Sequence, residues 1–460
     1  MKAVINLFIK SGGMRMKKGL GIVLLSGLLG IFVSTAWAGG IDNKQNFSAA
    51  YVASPSRNAA TEGADVAAYN PAGIMQMDNG GYLEIDGQVI TLDYDHRING
   101  RDYGISNTAL PPTAFGIYKS NQWAFFGTFT INGGGGEVEY KEGNSITQGI
   151  ATAGLAGGFS DPALNAHAAS TGTPRPNGNY LNPGGIFANQ YAYSESFHYT
   201  FTAGTAYAVN EAFSVAAAIR YITTKKEVDI HGDYTQGGTT QDVLGKYEQD
   251  AQGWGGVISM NYRMNDRLNL AAKYETKVEL DWYTEVDEAS RGTVGENILW
   301  MNGRVHGKEY ARDLPAVFAT GLEWKLLDKL TVAPSFTYYF EKDADMDTQN
   351  AKVDKNSYDI ALGLRYDFNE TWTAMTGYMY TDVGIKPEDF GIIEKMNPAL
   401  DCHTFSLGCR YRMNEKWTFT TGVMASLYVS DTAPASGPNP KTTYEKDVMT
   451  YAIGVQYKFL

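Results

Sequence analysis

The chain has 460 residues, 50 acidic against 38 basic, for a formal net charge of −12. That argues against a nucleic-acid partner, because phosphate backbones are held by clustered lysine and arginine. Thirty tyrosines, 51 glycines and a mean hydropathy of −0.28 are odd for a large buried core, but they suit a sheet that is apolar only on alternate residues.

At the N-terminus, Lys2, Lys10, Arg15, Lys17 and Lys18 precede the run GLGIVLLSGLLGIFVSTAWA, which closes on Ala36-Trp37-Ala38. A basic start, an apolar core and an A-x-A end make residues 1–38 a secretory signal peptide, with the mature chain beginning at about Gly39. Initiation at Met14 or Met16 would give a more typical leader than initiation at Met1. Beyond Ala38 no apolar run reaches the ~18 residues of a spanning helix, so any membrane crossing falls to strands.

Residues 39–79 are rich in small side chains, lack strand alternation and turn at Asn70-Pro71. Composition alone allows a disordered periplasmic tail. From about Tyr82 the pattern changes to period two, and one phrase recurs: YKSNQWAF at 118–125, YAVNEAFSV at 207–215, YRMNDRLNL at 262–270, WKLLDKLTV at 324–332, YDFNETWTA at 366–374 and YRMNEKWTF at 411–419. Each joins two alternating arms through a short polar turn flanked by aromatics. Six such hairpins give twelve strands; a run from Tyr82 to His96 precedes them and DVMTYAIGVQYKFL follows. The expectation is an all-β, fourteen-stranded antiparallel transmembrane barrel over 80–460, an even count as bacterial outer-membrane barrels have, with interfacial aromatics at the turns. The recurring turns are then periplasmic and the long connections exterior. The last strand ends Phe459-Leu460, displacing by one residue the terminal aromatic expected to be read by the barrel assembly machinery.

The longest connection, 141–194, is expected to fold as a cap. Fourteen strands enclose more room than side chains fill, so 39–79 could occupy the lumen as a plug. Gly133, Gly134, Gly135 and Gly136 either kink the third strand and open the wall or begin the exterior loop. Alternation points Arg220, Lys273, Arg365 and Arg410 inward, where each either pairs with an acid or holds a ligand carboxylate. Cys402 and Cys409, on opposite faces of one strand, are too far apart to bridge. The histidines lack zinc spacing. Asp343, Asp345 and Asp347 alternate like a calcium loop without its glycine or terminal glutamate, which reads instead as an acidic loop that divalent ions could bridge to lipopolysaccharide. No enzyme constellation, metal site or cofactor motif is apparent.

ATEGADVAAYNPAGI resembles the N-terminal plug and Asn-Pro-Ala motif of the FadL family of outer-membrane long-chain fatty acid transporters, which includes relatives that admit aromatic hydrocarbons. DLPAVFATGLEWKLLDKLTVAPSFTYYF, YDIALGLRYDFNETWTAMTGYMYTDVGIKPEDF and DCHTFSLGCRYRMNEKWTF are similar to family strand pairs in the same order. The resemblance implies a monomeric fourteen-stranded barrel holding an N-terminal hatch. It implies passive uptake of long-chain fatty acids or similar hydrophobic molecules, caught by exterior loops and released sideways into outer-membrane lipid. Asn70, Pro71 and Ala72 become the hatch motif and TINGGGGEVEY the kinked strand. Ligand-contacting loop residues do not align. Aromatic hydrocarbons therefore remain an alternative substrate, and a general diffusion porin remains the alternative class.

Overall fold

The computed structural model describes residues 45–346, 353–391 and 393–459. The expected signal peptide, residues 39–44 of the expected hatch, Asp347 and Leu460 lie outside them.

Fourteen strands close into one antiparallel barrel: β1 Gly80–Ile98, β2 Arg101–Ala109 continued by Pro112–Ser120, β3 Trp123–Tyr140, β4 Ile186–Ala208, β5 Phe213–Gln236, β6 Thr239–Asn265, β7 Leu268–Glu275 continued by Asp281–Val286, β8 Glu309–Ala311 continued by Val317–Leu327, β9 Leu330–Tyr339, β10 Ser357–Asp367, β11 Trp372–Asp382, β12 Cys402–Arg412, β13 Trp417–Tyr428 continued by Asp431–Ala433, and β14 Thr442–Phe459. The seam is sealed from Gly81 opposite Phe459 to Ile98 opposite Thr442.

The recurring phrase has a local physical cause. Asn369 Oδ1 accepts from the amides of Thr371 (2.9 Å) and Trp372 (2.8 Å), and Asn414 does the same for Lys416 and Trp417, both at 2.9 Å. Asn210 and Asn265 hold their turns in the same way. A side-chain carbonyl standing in for a backbone acceptor closes the turn.

Alternation sorts the two faces. Leu407 is 66% and Ile453 59% exposed, whereas Thr404 and Thr450 are buried. On β1 the outward residues run Leu83, Ile85, Val89 and then Asp93 and Arg97; on β14 they run Phe459, Ile453, Tyr451 and then Asp447 and Glu445. The apolar stretch is about ten residues per strand, the length that crosses hydrocarbon at a ~45° tilt. Trp123, Trp324, Trp372 and Trp417 sit beside the short turns, at the depth where an amphipathic ring is favoured.

Above that band β4, β5 and β6 continue well beyond the lipid. The connection expected over 141–194 therefore ends at 185, because β4 already begins at Ile186. FANQYAYSES carries polar residues on its outward face there, so its strand character was invisible to apolar alternation. The connection carries α3 (Ser145–Ala156), capped by a reciprocal Asn144–Thr147 box, and α4 (Asp161–Thr171); α5 (Val294–Met301) follows β7. Ile146, Ile150, Ile298 and Leu299 pack with Ile230, Val243 and Tyr247 in one cluster at the barrel mouth. A second cluster joins Phe47, Tyr51, Val52, Tyr69 and Ile74 to Phe115, Phe126 and Met379 of the wall. Residues 45–79, with α1 (Ala49–Ala53) and α2 (Val66–Tyr69), thus pack against the inner faces of the strands.

Placing a cation on the lipid face at Leu407 should cost roughly 2–4 kcal/mol, the penalty for arginine near the bilayer midplane. Leu407→Arg is expected to lower the unfolding free energy of the reconstituted protein, read by urea titration, by that amount, with Ser406→Thr on the opposite face as control.

Candidate functional site

Polar networks and cavities occupy the interior among the described residues. The lower network fixes the 45–79 segment. Ser48 caps α1, accepting from Tyr51 N, and donates to Asp65 at 2.7 Å; Ala49 N–H donates to Asp86 of β1 at 2.7 Å. Arg57 pairs with Asp65 at 2.6 Å, both buried. Asn70, fully buried, donates to Ala60 O (2.9 Å) and to Asn261 of β6 (2.8 Å). Pro71 opens a 3-10 turn, where its missing N–H costs nothing. Ala72 N–H donates to Ser259 Oγ at 3.3 Å and its carbonyl accepts from Ser214 at 2.8 Å. The Asn-Pro-Ala triplet is therefore stitched to β5 and β6. Gly73 completes it, since an added Cβ would strike Asn70 Nδ2 and Ala60 O.

The four inward cations all have carboxylate partners. Arg220 and Lys273 share Glu275, Lys273 at 2.7 Å, and Lys273 also donates to Ala68 O at 2.7 Å. Arg365 meets Glu62 at 2.9 Å and Glu323 at 3.3 Å; Arg410 meets Glu62, which also takes Arg412 at 3.1 Å. Glu62 went unremarked in the sequence, and no local signal marks it, because its partners lie some 300 residues away. Burial pushes its carboxyl up, but Arg365, Arg410 and Arg412 hold it well below the ordinary 4.5.

Higher in the barrel lies a cavity of about 120 Å³. Gly134 and Gly136 of β3 form one side; Lys226, Trp282, Arg304 and Arg312 form another; Phe390, Glu394 and Met396 of the 383–401 connection form the roof. Arg304 pairs with Glu394 at 2.7 Å and Lys226 lies 3.6 Å from it. Burial raises the Glu394 carboxyl, but Arg304 and then Lys226 bring it down to about 2. Above the cavity, Met396 O accepts from Tyr140 at 3.0 Å and lies 3.2 Å from His96 Nε2, while Ser145 N–H donates to His96 Nδ1 at 3.3 Å. The backbone donation makes Nδ1 an acceptor and leaves the ring proton on Nε2 for Met396. This knot ties the roof and α3 to β1 and β3.

The wall beside the cavity is irregular. β3 pairs with β2 only from Trp123 to Phe129, and β2 above its Pro111-Pro112 break pairs with β1 alone. Across the unladdered part, Asn107 Nδ2 donates to Glu137 O at 2.8 Å. On the other edge the register to β4 slips at Ile131/Gly133 and again at Gly133/Gly136, with φ of 94° at Gly134 and 67° at Gly136. Side chains there would be strained. The glycines lie within β3, at the height where its outward residues pass from Phe125 and Phe129 to Glu137 and Glu139.

A closed barrel with a lipid-facing apolar belt, an occupied lumen and an interior cavity beside a break in its wall is the architecture of an outer-membrane transport protein. The sequence profile described as "Outer membrane protein transport protein (OMPP1/FadL/TodX)" matches residues 30–459, and the chain belongs to that family. Solved structures share the fold at low identity. A FadL homologue of Pseudomonas aeruginosa is 11% identical, with 91% of this chain and 100% of the other covered at a TM-score of 0.63. The toluene transporter TodX of Pseudomonas putida is 13% identical, covering 92% and 100%, TM-score 0.61. The toluene transporter TbuX of Ralstonia pickettii is 14% identical, covering 90% and 98%, TM-score 0.56. No curated protein matches by sequence.

Glu62→Gln removes the charge shared by three arginines and leaves the nearly buried Arg410 without its carboxylate. The segment should loosen by up to about 3 kcal/mol, the lower end for breaking a buried pair, read as faster hydrogen exchange at residues 57–65. Because the folded carboxyl sits below its ordinary range, its contribution is complete at neutral pH, begins to fade as the pH falls through about 4.5 and is lost as the pH falls on through the lowered folded value.

Proposed function

We propose that the protein takes up long-chain fatty acids, or amphiphiles with the same carboxylate-and-chain chemistry, through the outer membrane. The carrying observation is the cavity beside the broken wall, whose lining brings Lys226, Arg304 and Arg312 together with Trp282, Phe390 and Met396. Cationic side chains lining such a cavity give an uncharged hydrocarbon nothing, whereas a carboxylate gains charge-assisted hydrogen bonds from them. An acyl chain fits the aromatic and methionine side.

In this reading the exterior connections receive the ligand, and the 45–79 segment is a hatch closing the periplasmic end. The kinked glycines of β3 give the chain a way out through the gap toward β2. Arg220, Lys273, Arg365 and Arg410 hold the hatch and the strands together and are not ligand contacts. The toluene transporters of the same fold make aromatic hydrocarbons the reading to test against.

Lys226→Met is the discriminating variant, because at 3.6 Å its pair with Glu394 is the looser one. Losing one hydrogen bond to a charged ligand group costs ~1.5–3 kcal/mol, so oleate should bind roughly 10- to 100-fold more weakly while toluene binding stays unchanged. Equal affinity for oleate in the variant and the parent would overturn the carboxylate assignment.

A further inference from the structure

The wall has a second discontinuity, on the far side of the cavity. β6 pairs with the lower part of β7 from Val257 opposite Glu275 downward, and with the upper part from Asp250 opposite Tyr283 upward. Between them Ala251 to Gly255 have a ladder partner only on β5. The missing stretch of β7, 276–280, is held to β8. Val278 and Leu314 exchange backbone hydrogen bonds at 3.0 Å, Arg312 N–H donates to Leu280 O at 2.9 Å, and Lys277 meets Asp313 at 2.8 Å. β7 and β8 therefore leave the wall together, as one unit.

They move inward. Gly253 and Gly255 face the lumen, and a Cβ on either would run into Val278; on Gly253 it would also strike Glu279 O. Two glycines on the inner face of β6 thus let the 276–280 stretch lie flat behind it. Val278, Leu280 and Leu314 are buried there with Ile222 and Trp282. The joint is lapped rather than laddered. Polar side chains stand in for the missing rungs: Thr276 Oγ1 accepts from Gly256 N–H at 2.8 Å, and Arg220 donates to Thr276 O at 3.1 Å. Such backbone is tolerated at membrane depth only where protein or a cavity covers it.

Both sides of the lap are apolar. Inside, Trp282 and Ala311 belong to the wall of the same cavity that touches Gly134 at its other end. Outside, Trp254 is 68% exposed. Just below it an apolar groove of about 460 Å³ runs over Val215, Ile258, Met260, Tyr274 and Phe318 on the lipid face. A joint secured by packing can slide, whereas a rung-by-rung ladder must break hydrogen bonds to open. We propose that the β6–β7 lap is a second lateral port, through which a chain-bearing amphiphile exchanges between the cavity and the outer leaflet, its chain lying in the outer groove. This rests on the fatty-acid reading of the cavity.

The test uses a diazirine-bearing long-chain fatty acid with the full protein in vesicles, mapping adducts by mass spectrometry. Adducts are expected at Leu280, which is fully buried, as well as at Phe390 in the cavity roof. A second form, Gly256→Cys with Thr276→Cys in a Cys402→Ser, Cys409→Ser background, staples the lap, because a Cβ on Gly256 lies in ordinary contact with Thr276, 3.6 Å from its Cγ2. Oxidation should cut the Leu280 adduct at least tenfold, spare Phe390 and be reversed by reductant. Adducts at Phe390 without any at Leu280, or a Leu280 adduct indifferent to the staple, would overturn the port and leave the cavity reading standing. Adducts absent from both would overturn the cavity reading and the port together.

Discussion

The constraint on which this structure depends is that no backbone donor or acceptor can face hydrocarbon unpaired. It forces the sheet to close, β1 against β14 over its full length, and it makes any departure from the ladder costly. Departures are correspondingly few and grouped. The prolines at 111 and 112, the glycine slips in β3 and the lapped stretch of β7 all adjoin the upper half of the barrel, where one cavity is lined by Gly134 and Gly136 of β3 and by Trp282 of β7. A barrel selected only for stability has no use for three such places.

Much of the architecture was legible because lipid writes a simple pattern. Outward Phe405 and Leu407 against inward Thr404 and Ser406 is period two, and turn asparagines such as Asn369 and Asn414 mark the short ends. Together these gave the strand number. The pattern ends where the lipid ends. Above Phe197 the outward residues of β4 are Glu195 and Tyr193, so the top of that strand read as loop and the exterior connection was drawn nine residues too long, to 194 rather than 185.

The site was less legible, for a different reason. Alternation does put Arg220, Lys273, Arg365 and Arg410 on the inner face, but a face does not specify a partner. Glu62 and Glu323 reach Arg365 and Arg410 across sequence separations that carry no local signal, whereas Glu275 stands two residues from Lys273 on the same strand face and that pair is readable in the sequence. Lys226, Arg304 and Glu394 come from a strand and two connections with no shared motif. The glycine run was visible as an oddity of composition. Its meaning needed the neighbouring strand, because a slip in register exists only between two chains of residues.

The distribution of bonds also bears on the direction of transport. Moving the 45–79 segment aside would separate Glu62 from three arginines of the wall, Arg365, Arg410 and Arg412, and free Asn70, Ala72 and Ala49 from it. Losing that charge cluster costs up to about 3 kcal/mol, before any hydrogen bond is counted, and an apolar ligand offers nothing to the charges left behind. The gap at β3 already lacks its ladder and is bridged by a side-chain hydrogen bond from Asn107 and, at its top, by the exposed Arg101–Glu142 pair, each worth about 1 kcal/mol or less net. A hydrophobic chain passing there exchanges protein contacts for lipid without exposing a charge. The same ledger penalises a polar solute, which would trade water for hydrocarbon on that path. On the proposed function, release sideways is the route this pattern of bonding resists least, and it is open only to ligands that dissolve in the membrane.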